Sequence, residues 1–76
     1  MKHMIDFLIA LKQLGEPKTI EQMERMNFCS YKEFVYESIE KGYIISVSTT
    51  PMNIKTYWLS DIGEKAVEDE IRRRNQ

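Results

Sequence analysis

The residues able to do covalent or acid–base chemistry are few in this chain and stand apart. His3 is the only histidine and lies at the N-terminal end, and Cys29 is the only cysteine. A nucleophilic thiol needs a neighbour that activates it, and no His or Arg is placed in sequence to do so, so Cys29 reads as a small packing residue. A metal centre needs His, Cys or carboxylate ligands at fixed spacing, which one His and one Cys do not supply. Gly15, Gly42 and Gly63 are too widely separated for a phosphate-cradling loop, and each has a turn or helix-end role instead. Asp69-Glu70 falls on a surface helix without a pocket to shift its acidity. The expectation is a non-catalytic protein with no metal and no cofactor.

Composition bounds the rest. The chain has 76 residues, 42% hydrophobic and 30% charged, which is a globular balance rather than a disordered one. One domain spanning 1–76 is expected, with a core small enough that a homodimer would help it. Lys and Arg number 11 against 12 Asp and Glu, for a net charge of -1. That balance is unusual for a module whose partner is a polyanion. A single cysteine permits no internal disulfide, and no apolar run reaches bilayer length or shows a signal-peptide pattern, so a cytoplasmic setting without membrane association is expected.

The elements that would position a binding surface follow from caps and periodicity. Residues 2–14 read as a helix with too many apolar positions for one stripe, Ile5, Leu8 and Leu11 among them. Its second face is covered either by another copy or by the rest of the chain. Gly15-Glu16-Pro17 ends it. Thr19 with Gln22 is a capping box for a brief helix over about 19–26, with Ile20, Met23 and Met26 as its stripe. Phe28 is expected to plug the turn that follows. Ser30 with Glu33 reads as a second capping box, opening a helix over 30–41 that Gly42 ends. Burial of Tyr31, Phe34, Val35 and Ser38 would leave Ser30, Lys32, Glu33, Tyr36 and Glu37 outward. Ser38 stands where a larger apolar residue is usual, so either Ile39 rotates in or Ser38 lets a neighbouring helix approach. β-Branched and aromatic runs flank the turn formers Thr49 to Asn53, giving a hairpin over about 43–59. Tyr57 and Leu59 would face the core and Trp58 the other side, under the first helix or a partner. Ser60 caps a last helix over 60–74, where Ile62 and Ala66 form one apolar pair and Val67 and Ile71 another. One pair would pack inward and the other would be free to meet a second subunit.

Two stretches carry a family resemblance: Glu40-Lys41-Gly42-Tyr43-Ile44 at a helix end, and Tyr57-Trp58-Leu59-Ser60-Asp61-Ile62-Gly63 from strand into helix. This part of the chain resembles the winged helix-turn-helix of MarR- and PadR-type bacterial transcriptional regulators, in detail from about Thr19 to Ala66 and in outline from Met4. The resemblance implies an α+β, mainly α fold of three helices, a two-stranded wing hairpin and a C-terminal helix. It also implies double-stranded DNA as partner, with the helix from Ser30 in the major groove. Lys32 would contact phosphate or guanine, Ser30 phosphate, and Tyr36 phosphate or a thymine methyl. Glu33 either accepts from a cytosine amine or serves the cap. Thr50, Asn53 and Lys55 on the wing would grip phosphates, although the families commonly carry more basic tips. Arg72-Arg73-Arg74 either completes the helix dipole or adds a flanking phosphate contact.

The alternative is an adaptor that binds protein instead of DNA. Ile5, Leu8, Leu11, Trp58, Val67 and Ile71 are the expected dimer or partner surface. Acidic balance, a wing without arginine and glutamates on the reading helix favour this alternative.

Overall fold

A computed structural model describes residues 3–75 and places six elements in the order α1 (Met4–Leu14), α2 (Ile20–Cys29), α3 (Lys32–Glu40), β1 (Ile44–Thr49), β2 (Lys55–Leu59) and α4 (Asp61–Arg74). This is the expected mainly α, winged-helix-like arrangement. Lys2, read as the start of the first helix, lies outside the described residues. No helix among the described residues is long and apolar enough to cross a membrane.

Local chemistry accounts for most boundaries. The Gln22 amide donates to Thr19 Oγ1 at 3.1 Å and the Thr19 amide to Gln22 Oε1 at 3.0 Å, the reciprocal capping box of α2. Gly42 adopts φ 81°. Its amide donates to the Ile39 carbonyl and the Tyr43 amide to the Ser38 carbonyl, so α3 ends in a Schellman motif. The Ser60 hydroxyl accepts from the Gly63 amide and donates to the Gly42 carbonyl, which joins the start of α4 to the end of α3. The Ser60 amide meanwhile donates to the Tyr43 carbonyl at 2.9 Å.

The strands pair antiparallel with Ile44 opposite Leu59, Ile45 opposite Trp58 and Ser46 opposite Tyr57. Val47 is an extra residue, because Ser48 next pairs with Thr56, and the bulge bends the hairpin. A bridge absent from the sequence reading adds Lys18 to the other edge of β2, where Lys18 and Tyr57 exchange both backbone hydrogen bonds. Polar Lys18 beside Pro17 gave no strand pattern to read.

Phe7, Leu8 and Leu11 of α1, Met23, Val35, Ile44, Leu59 and Val67 form the core, each at most 4% exposed. The apolar excess of α1 is absorbed within the chain, since α1 packs on α4, β2 and α3. Leu8, Leu11 and Val67, expected at a dimer or partner surface, are therefore interior residues and cannot form one. Val67 and Ile71 do not act as a pair either: α4 turns Val67 inward and leaves Ile71 41% exposed. Val35 and Ser38 are fully buried as the α3 stripe requires, and the Ser38 hydroxyl donates back to the Val35 carbonyl at 2.7 Å. A small residue with an internal hydrogen bond is thus tolerated at a core position.

Two ion pairs tie α1 and α4 antiparallel, Lys12 with Glu64 and Asp6 with Arg74. Asp6 also accepts from the His3 amide at 3.0 Å. The Arg74 hydrogen bond, then the His3 amide, hold the Asp6 carboxyl below its ordinary range, and Arg73 and Arg74 do the same for Glu70. A carboxylate depressed in the fold adds stability that is complete above its unfolded pKa and is lost as pH falls through the lower folded value. Thermal unfolding should therefore lose midpoint below about pH 4. Asp6→Asn should lower the midpoint at neutral pH and flatten that acid decline. A decline of unchanged steepness in Asp6→Asn would refute the assignment.

Gly63 yields a second prediction. A Cβ there would lie 2.1 Å from the Tyr43 carbonyl oxygen, a backbone atom that cannot step aside, whereas a Cβ at Gly15 would meet nothing within 4 Å. Gly63→Ala should cost about 3 kcal/mol or more in urea unfolding. Gly15→Ala, strained only by its φ of 77°, should cost about 1 kcal/mol.

Candidate functional site

The outer face of α3 and the hairpin tip hold the residues that sequence reasoning singled out, and the structure sorts them. α3 begins at Lys32, with Tyr31 as N-cap and no side-chain cap. The expected Ser30–Glu33 capping box is therefore absent. Its place is taken by a left-handed turn: Met26 leaves helical geometry at ψ 141°, and Asn27, Phe28 and Cys29 follow at φ 50°, 56° and 64°. This turn carries the Ser30 hydroxyl back onto the Asn27 carbonyl. Ser30 thus closes the turn and lies just outside α3, lining the same depression as Lys32 and Glu33, while Glu33 is released from any capping role.

Lys32, Glu33 and Tyr36 are exposed together on α3, Tyr36 at 59%. Glu37 and Lys41 form the expected i, i+4 ion pair, Nζ to Oε1 at 3.2 Å. Lys32 shares a shallow depression with Glu24, Cys29, Ser30 and Glu33, so its charge stands among two carboxylates. Lys55 lines a separate depression with Thr19, Ile20, Glu21, Ile54 and Tyr57, where the base of the wing meets the start of α2. The two expected cationic contacts are thus on different depressions, each with at least one glutamate.

At the wing tip, Thr50 Oγ1 accepts from the amides of Met52 and Ile54 at 3.3 and 3.1 Å. Thr50 organises the turn with the same hydroxyl that was expected to face phosphate. Asn53 occupies φ 64°, a conformation that Asn accepts more readily than most residues, and Lys55 is exposed at the start of β2. Around them stand apolar side chains: Met52 is 80% exposed, Ile45 50%, Val47 47% and Ile54 46%. Strand alternation placed Trp58 on the outer side, and the observed register sets Ile45 opposite it; the bulge that adds Val47 has no signal in the sequence. Trp58 is half-buried against the core, and Ile5 is half-buried on α1.

The basic cluster is neutralised within α4 and α1. Arg73 donates to Glu70, Arg74 to Glu70 and Asp6, and Arg72 stands 3.8 Å from Asp69. The same partners push Arg74 still higher in pKa, and Lys18 lowers Glu16 by a hydrogen bond. Exposed pairs of this kind contribute about 0–1 kcal/mol each to stability, yet they remove charge that a polyanion would meet.

Phe28 departs furthest from expectation. It was expected as a plug between helices and instead is 97% exposed, with Cys29 beside it also exposed rather than packed. The left-handed backbone points the Phe28 ring away from the α2–α3 contact. Phe28→Gly should therefore leave stability unchanged or raise it by about 1 kcal/mol, because glycine relieves the left-handed strain and no packing is lost. A loss of about 3–5 kcal/mol, the cost of truncating a packed phenylalanine, would contradict the exposed position. Comparison of the chain with protein-family models, with curated proteins and with solved structures gives no match.

Proposed function

We propose that the chain is a small, dimeric, cytoplasmic DNA-binding regulator that lays the outer face of α3 in the major groove and the hairpin along the flanking backbone. The observation that supports this reading is the joint exposure of Lys32, Glu33 and Tyr36 on α3, whose opposite face is fixed by fully buried Val35 and Ser38. A helix held rigidly on one side can present a fixed row of side chains to base edges. Lys32 supplies a phosphate or guanine contact, Tyr36 a phosphate or thymine-methyl contact and Glu33 an acceptor for a cytosine amine. Lys55 and Asn53 would add backbone contacts from the wing.

A second reading is a winged-helix adaptor for a protein partner. It is favoured by the hairpin, where Ile45, Val47, Met52 and Ile54 are exposed and Lys55 is the only charge between Ile44 and Leu59. Such a surface suits apolar contact better than a phosphate backbone.

Anisotropy with random duplex DNA at low salt separates the two. The DNA reading expects binding that weakens steeply with salt, with Lys32→Ala and Lys55→Ala each lowering the salt slope by about one unit. Lack of binding at low salt, or a slope unmoved by both substitutions, would overturn it in favour of the adaptor.

A further inference from the structure

Phe28 and the recess beside it are a knob and a hole set side by side. The ring is 97% exposed, although phenylalanine is among the residues most often fully buried. Asn27, its neighbour in the chain, lines an open recess of about 510 Å³ together with Ala10, Gln13 and Leu14 of α1, Met26 of α2 and Tyr31. Phe28 does not line that recess, because the left-handed backbone from Asn27 to Cys29 carries its ring outward. Leu14 is itself 50% exposed there. None of the six lining residues is Asp, Glu, Lys, Arg or His.

We propose that two copies of the chain associate about a two-fold axis, each seating its Phe28 ring in the recess of the other among Ala10, Leu14, Met26 and Tyr31. Adjacency selects a second copy as the occupant. A protrusion and a recess next to each other on one surface are both satisfied by a single closed, self-complementary contact. An unrelated protein would need a matching recess and protrusion of its own at the same spacing. The ring would leave water for an apolar site, and Leu14 would be covered in the same step.

Charge and area agree with that occupant. An uncharged recess and ring meet their own copy without opposing like charges, and the ions on the adjoining helices are already paired, Arg25 with Glu21 on α2 and Lys12 of α1 with Glu64. A buried aromatic residue covers about 150–250 Å². Two rings and the two surfaces that receive them therefore bury roughly 600–1,000 Å², with Leu14 and Gln13 adding to it at the rim, against about 1,200 Å² at the lower end of stable interfaces. A pairing of that size is weak and reversible. The contact rests on the dimeric part of the function proposed above and uses none of Lys32, Glu33, Tyr36, Asn53 and Lys55.

Sedimentation velocity of the full chain from low micromolar to millimolar concentration, without nucleic acid, tests the pairing. Nuclear Overhauser effects filtered for contacts between labelled and unlabelled copies locate it. The wild type should pass from monomer to dimer and no further, with intermolecular effects from the Phe28 ring to the Ala10 and Leu14 methyl groups. Phe28→Gly, expected above to keep the stability of the monomer, should weaken the association about tenfold or more with wild-type circular dichroism. Leu14→Lys, which sets a cation in the recess at a helix end that favours one, should do the same. If either variant does not fold, the other and the wild-type contacts decide the matter. A monomer at the highest concentration, growth beyond the dimer, a dimer unmoved by both substitutions, or a dimer without those contacts would each overturn the proposal. A dimer that survives overturns this contact alone, a monomer overturns the dimeric reading with it, and DNA binding is decided separately by the anisotropy.

Discussion

The fold depends on the junction of Gly42, Tyr43, Ser60 and Gly63. Four backbone segments meet there: the end of α3, the entry to β1, the exit from β2 and the first turn of α4. The Ser60 hydroxyl uses both its capacities, accepting from Gly63 and donating to Gly42, while the Tyr43 carbonyl takes the Ser60 amide. The Tyr43 oxygen occupies the place where any larger residue at position 63 would put its Cβ. Since Ile44 and Leu59 face each other one residue away and are both in the core, the junction fixes the register of the hairpin and the docking of α4 together. A shift of one residue at this point would turn Ile44 and Leu59 to solvent and Ile45 and Trp58 inward.

From that fixed point the charges can be followed outward. α4 leaves the junction antiparallel to α1 and is clamped at both ends, by Lys12–Glu64 near its start and Asp6–Arg74 near its finish. The arginines that look like a phosphate-binding cluster in the sequence are thereby committed to Asp6, Asp69 and Glu70. Among the described residues, what remains for a polyanion is a small number of single cations, Lys32 and Lys55 among them, each of these two sharing a depression with a glutamate. Any nucleic-acid contact would therefore rest on these few cations at α3 and the hairpin rather than on a general positive field.

Much of this architecture was legible because it is enforced locally. Thr19 and Gln22 cap α2 through their own side chains, Gly42 ends α3 because the left-handed conformation suits it, and Ser60 caps α4. These signals act over three or four residues and need no knowledge of the fold. The failures have a different origin. Ser30-x-x-Glu33 has the composition of a capping box, but the backbone at Asn27 to Cys29 turns left-handed and aims the serine elsewhere. Leu8, Leu11 and Val67 seemed surplus to one buried stripe because the helices, β2 and their neighbours that cover them are distant in sequence. The Lys18 bridge and the Val47 bulge are likewise set by what lies alongside, not by the residues themselves. Composition placed Lys32, Glu33 and Tyr36 on α3 and Thr50, Asn53 and Lys55 on the hairpin but set Ser30 in the helix rather than in the turn before it, whereas packing decided which side chains were free.

The two features that break local rules lie away from the junction. Three consecutive non-glycine residues in the left-handed region, each costing roughly 1–2 kcal/mol, persist only where the surrounding structure holds both ends of the turn. Here those ends are held by Met23 and Met26 on one side and by Tyr31 on the other, whose ring lies 5.9 Å from that of Phe7. The strain presents Phe28 to solvent at the edge of the α3 face. On the hairpin, an uncharged edge strand and its apolar outer face are kept in place by the buried Ile44–Leu59 pair beneath them. In both places a rigid interior sustains an exposed arrangement that local preference alone would not select, and a surface maintained against such preference is where contacts with other molecules are to be sought.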